Sequence, residues 1–149
     1  MLADLAAEKG RIPPDKLSEA IDTAIDAYVN GVYRAVKCIR NDNVLGAQLE
    51  AANSMLDLLT LIFALNGRHR PFLGYFEKEL ALYPLDDLPW SPAAFIGAIR
   101  RVLESADLET QQMLLIGMEA FCRARGHGRI FDSWNGKDRW AMTYRPQPT

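Results

Sequence analysis

Cysteine and histidine are scarce in this chain, with two of each. Cys38 and Cys122 each stand alone inside a helical pattern. A disulfide framework or a zinc site needs more ligands at closer spacing, so both are excluded. The two cysteines read as free thiols buried in a reducing cytoplasm. His69 and His127 lie in turn-like stretches without a nucleophile context, which leaves Ser/His/Asp chemistry without a candidate. Charge of one sign is also missing. With 17 basic against 19 acidic residues and a net charge of −2, no field is strong enough to hold a nucleic-acid backbone non-specifically. The longest apolar run, Leu58 to Leu65, is interrupted by Thr60, far short of the roughly 20 residues that span a bilayer. The start of the chain lacks a basic segment and carries Asp4 and Glu8, unlike a signal peptide. The expected setting is therefore cytoplasmic, with no membrane partner. Clustered glycines at a helix start, which cradle phosphates, are absent too. Gly126-His-Gly128 follows a helix and reads as a C-cap and turn.

What the chain does have is helix. Its 149 residues, 49% hydrophobic and 24% charged, suit one domain that buries about 68–70% of its unfolded surface. Residues 1–14 read as a lead-in or linker, because Pro13 and Pro14 forbid a continuous helix. Residues 15–149 form a single helical domain. Leu17, Ile21, Ile25, Tyr28, Val32, Val36 and Ile39 repeat at helical spacing, giving a first helix from Asp15 to Arg40 with Asn41-Asp-Asn43 as its turn. A second runs from Val44 to Asn66 and stops at Gly67. Its second half is apolar on nearly every side, which makes it the expected central helix. A third covers Leu73 to Tyr83 before Pro84, and a fourth starts at Pro92 with Ser91 as N-cap and runs to Glu104. Asp107 caps a fifth, which Gly126 ends. His127 to Thr149, with Trp134 and Trp140, reads as an irregular tail packed by its aromatics. The expected fold is all-α: about five helices in an antiparallel up-and-down bundle, plus that aromatic tail.

Chemistry is thinner. Asp107-Leu-Glu109 has the spacing of metal-binding carboxylates, but it opens a helix, where capping and the helix dipole account for it. One constellation remains. Glu50, Asn53 and Asp57 recur at i, i+3 and i+7 on the second helix, and Asn30, Arg34, Lys37 and Asn41 form a stripe on the first. If these helices pack antiparallel, the two stripes face each other. They then form either an interhelical salt-bridge network or a polar groove for a hydroxylated or phosphorylated ligand. Arg68-His-Arg70, with Arg40, gives a small basic cluster that reads as solvated turn residues.

Tyr28-Val-Asn-Gly-Val-Tyr-Arg-Ala-Val-Lys37, Leu45-Gly-Ala-Gln-Leu-Glu-Ala-Ala-Asn53, Leu65-Asn-Gly-Arg-His-Arg-Pro-Phe72 and Gly126-His-Gly-Arg-Ile-Phe-Asp-Ser-Trp134 together resemble the C-terminal helical domain of bacterial nucleotidyltransferases. That broad group is similar to kanamycin nucleotidyltransferase and the minimal nucleotidyltransferases, and the likeness spans roughly residues 12–140. The resemblance implies an accessory domain that helps bind the acceptor and closes over a catalytic domain. The latter bears Gly-Ser and an Asp-x-Asp or Asp-x-Glu triad, which hold Mg and a nucleoside triphosphate. This chain has no Gly-Ser pair, so it is expected to be inactive alone and to hold no cofactor. Its expected partner is an N-terminal nucleotidyltransferase domain, in cis or as a separate chain. By the resemblance Glu50 is the acceptor-side catalytic carboxylate. Arg34 and Lys37 lie near phosphates or acceptor, and Asn53 and Asp57 belong to the same substrate-binding stripe. Some helical relatives cleave RNA through Arg-x(4–6)-His. Here Arg123 and His127 are separated by three residues, which departs from that motif. The rival reading is a helical interaction module, dimerising or sequestering a partner in the manner of toxin–antitoxin pairs, without catalysis.

Overall fold

A computed structural model of the protein describes residues 10–148. Residues 1–9 of the expected lead-in and Thr149 at the end of the expected domain lie outside the described residues. Pro14 takes the first position of helix α1 (Pro14–Arg40), where its missing N–H costs no hydrogen bond. Gly10, Arg11 and Ile12, just ahead of it, are pinned to the body of the protein. Ile12 N–H donates to Gly67 O at 2.9 Å and His69 N–H to Gly10 O at 2.7 Å, a single antiparallel bridge between Arg11 and Arg68.

Helix α1 turns at Asn41–Asn43 into α2 (Val44–Leu65), with the Asn43 side chain accepting from Gly46 N–H at 2.9 Å as N-cap. The two helices run antiparallel and make the largest interface in the fold. Small residues set their separation: Gly31, Ala35, Ala47, Ala51 and Ser54 are all buried. A Cβ on Gly31 would stand 2.8 Å from Ser54 Cβ. α2 ends where Gly67 adopts φ +70°, a conformation that favours glycine. α2 is also long and apolar enough to cross a membrane by length and composition, but half of its apolar stretch is buried inside the protein, as in a core helix.

After a 3₁₀ turn (Leu73–Tyr75) come α3 (Phe76–Leu82), α4 (Pro92–Ser105) and α5 (Leu108–Ala124). Ser91 and Asp107 cap α4 and α5 as their residue types demand. Phe63, Phe76, Phe95 and Trp90 form a chain of ring contacts, the last pair stacked at 5.7 Å. The Trp90 ring lies over Gly117, where any side chain would collide with it.

The C-terminal segment is not irregular. It forms two short helices, α6 (Arg129–Ser133) and α7 (Lys137–Thr143), so the described residues hold seven α-helices where about five were expected. Gly136 at φ +87° breaks them apart, and their apolar residues come in short clusters too brief to show a period. Phe131, Ala141 and Met142 are buried. These two helices also move the hub of the fold. α1 packs on α2, α5, α6 and α7, whereas the main neighbours of α2 are α1 and α4. α1 therefore touches more helices than α2, while the second half of α2 is buried as expected, with Leu58, Leu59, Leu61, Ile62, Phe63 and Ala64 all in the core.

Candidate functional site

The last three turns of α1 and the first two of α2 form the walls of an open groove of about 410 Å³. Asn30, Tyr33, Arg34, Lys37, Cys38 and Asn41 line it from α1 and its turn, and Glu50 lines it from α2. The antiparallel hairpin explains this grouping. A register that brings Gly31 against Ser54 also brings Arg34 against Glu50. Arg34 Nε and Nη2 both reach Glu50 Oε1, at 3.1 and 2.9 Å. The pair is solvated on one side, with Arg34 56% and Glu50 24% exposed.

Aromatic rings hold the other cations. Lys37 Nζ sits 4.7 Å from the centroid of the Tyr33 ring, and the Arg40 guanidinium 5.3 Å from that of Trp140. Such contacts favour the positive charge without neutralising it. Tyr33 in turn packs against Trp134 and Trp140 at 5.8 and 5.6 Å, and Trp134 Nε1–H donates to Asp26 at 3.1 Å. Arg129 pairs with Asp22. The acidic first half of α1 thus fastens the C-terminal helices, whose rings back the basic second half.

The predicted stripe is only partly one site. Arg34, Lys37, Asn30, Asn41 and Glu50 come together. Asn53 is exposed and does not line the groove. Asp57 lies further along α2, close to Arg70, whose Nη1 donates to Leu56 O at 3.1 Å. Partial burial raises the Asp57 pKa, and the Arg70 charge opposes that rise. Helical spacing keeps residues 50 and 57 on one face. Extending the register of Gly31–Ser54 and Arg34–Glu50, however, brings Asp57 near Ala27 and Tyr28, a stretch of α1 without Lys or Arg. Tyr33 and Cys38 are groove residues that sequence reasoning passed over. The i, i+4 spacing of Tyr33 and Lys37 was the available signal, but nothing local announced that tail tryptophans would pack behind them.

Arg68 of the basic cluster is structural. It reaches Glu79 and Tyr83 O at 3.0 Å each and stacks on Phe63. The buried Cys122 thiol is pushed up to about 12 by desolvation, which leaves it an inert apolar group. Among the described residues no three His, Cys, Asp or Glu side chains gather as a metal cage. Glu50, the groove's one carboxylate, is committed to Arg34. The groove therefore does not fit the divalent ion that a nucleotidyltransferase uses. No family model, curated protein or solved structure matches the chain.

Proposed function

We propose that the chain is an accessory, acceptor-binding helical domain of a nucleotidyltransferase, inactive alone, with the α1–α2 groove as its acceptor site. The observation that carries this reading is the meeting of Arg34, Lys37, Asn30, Asn41 and Glu50 around one solvent-open groove. The sequence resemblance supplies the chemistry. Glu50 would take the proton of the acceptor hydroxyl, which requires an approach of about 2.6–3.2 Å. Arg34, already hydrogen-bonded to that carboxylate, would hold it in place. Lys37 and the two amides would orient the acceptor. Metal and nucleotide would come with the catalytic domain, in cis or on a partner chain, and the long helices would keep the up-and-down order such a domain needs. In the assembled enzyme, Glu50→Gln should lower turnover with little change in stability. Unchanged kinetics would remove Glu50 from the site. Coding context tests the pairing: an in-frame upstream Gly-Ser…Asp-x-Asp stretch supports it.

A second reading, a partner-binding module without catalysis, is favoured by an exposed apolar surface. Phe72, Tyr75, Leu82 and Tyr83 are 84, 62, 60 and 54% exposed around the 3₁₀ turn and α3, and such patches mark interaction sites. A separate small neighbouring gene, or a dimer in sedimentation that Phe72→Ser dissolves, would favour this second reading.

A further inference from the structure

We infer that the α1–α2 groove selects a phosphate-bearing ligand, so that the acceptor is an anion and not a polycationic amine. The inference rests on the reading of this groove as the acceptor site and narrows its substrate class. It follows from the balance of donors and acceptors around the groove. The lining holds two cations, Arg34 and Lys37, against one carboxylate. Two nitrogens of Arg34 converge on Glu50 Oε1, which offsets that carboxylate's charge within the groove while its Oε2 stays open. Lys37 has no carboxylate within ion-pair distance among the described residues, and its ammonium rests on the face of Tyr33. Its charge is held in place and left uncancelled.

The next cation along α1 is treated alike. Arg40 rests on Trp140, also with no ion-pair partner among the described residues. Arg40 Nε–H also donates to Asn41 Oδ1 at 3.4 Å. That contact uses the acceptor end of the amide, and no hydrogen bond among the described residues uses its NH₂. The groove thus offers the Lys37 ammonium, the Asn41 NH₂ and the outer guanidinium nitrogen of Arg34 as donors beside Asn30 Oδ1 and Glu50 Oε2 as acceptors, and Lys37 is its one cation that no carboxylate among the described residues offsets. A tetrahedral oxyanion accepts from all three kinds, and charge-assisted hydrogen bonds of this type are about twice as strong as neutral ones. A polyamine would meet the same donors as repulsion. The volume, about 410 Å³, lies in the range of small-molecule sites and leaves room for the organic body that carries the phosphate.

The test is calorimetric titration of the full chain with inorganic phosphate, ribose 5-phosphate, adenosine 5′-monophosphate and kanamycin at low salt, with circular dichroism to verify folding of each variant. The phosphates should bind and kanamycin should not. Equal affinity for the two esters would assign recognition to the phosphate alone, and a preference for the nucleotide would add a base subsite to it. Lys37→Gln should weaken phosphate binding about tenfold, since a hydrogen bond to a charged group is worth about that much. Lys37→Arg should largely preserve it. Glu50→Gln is the decisive variant: removing the one negative charge should tighten phosphate binding severalfold. If instead kanamycin binds and Glu50→Gln weakens it, the anion assignment is overturned while the acceptor groove stands. If none of the probes binds, both fall.

Discussion

Arg34 and Glu50 meet across the α1–α2 seam at 2.9 Å, although 16 residues separate them in the sequence. The pair is open to water, and exposed ion pairs contribute roughly 0.2–1 kcal/mol. A double-mutant cycle of Arg34→Gln and Glu50→Gln, read by urea unfolding, should therefore give a coupling energy below about 1 kcal/mol. A larger value would make the pair a structural clamp. A small one leaves functional effects of either substitution attributable to the groove.

Gly31 packs closely against Ser54 across the α1–α2 seam, and Gly31→Ala should be destabilising despite alanine's better helix propensity. Propensity alone favours Ala by about 0.8–1.0 kcal/mol. A Cβ 2.8 Å from Ser54 Cβ must push the helices apart or displace a buried serine, and overpacking costs about 1–3 kcal/mol. Thermal unfolding should show a lower midpoint for Gly31→Ala, and adding Ser54→Gly should restore part of the loss. A raised midpoint in the single variant would mean that the seam has slack.

Asp57 sets a pH dependence. Its pKa is raised in the folded protein by burial, with Arg70 opposing. A carboxyl with a raised folded pKa binds protons more readily folded than unfolded. It therefore adds nothing below the unfolded pKa and costs stability as pH rises through the folded value. Asp57→Asn should accordingly stabilise the protein at pH 7, and the gain should fade as pH drops toward the unfolded carboxylate range, about 3.9. Melting curves of both proteins between pH 3 and 8 check this. A gain that grows on acidification would reverse the sign.

Legibility in the sequence followed local physics closely. Ser91, Asp107 and Gly67 each announced a helix end because capping depends on one residue and its next turn, whereas Asn43 was read only as part of a turn. That the stripes holding Arg34 and Glu50 could face each other was legible only on the condition of antiparallel packing, and helical spacing alone did not single out this pair. Asp57's departure from the groove was not legible, since spacing along one helix says nothing about what the other offers opposite it. Nor were α6 and α7. Five and seven residues long, they are too short for periodicity to register and exist because α1 and α5 hold them.

Gln112 on α5 holds the end of α7. It is 3% exposed, and its Nε2 donates to Ala141 O at 3.0 Å and Tyr144 O at 2.9 Å. Its Oε1 accepts from Arg145. A buried amide that caps the end of α7 from the core replaces bonds those carbonyls lack within so short a helix. Gln112→Ala would leave both carbonyls without this donor and open a cavity, at a cost of about 2–4 kcal/mol. Loss of α7 would also withdraw Trp140 from Tyr33 and Arg40, so the damage should reach the groove. Hydrogen exchange should show faster exchange in residues 137–144 first, together with weaker phosphate binding, while α2 and α4 keep their protection. Uniform acceleration across all helices would mean instead that the C-terminal helices and the bundle unfold as one unit, with Gln112 inside a single cooperative core.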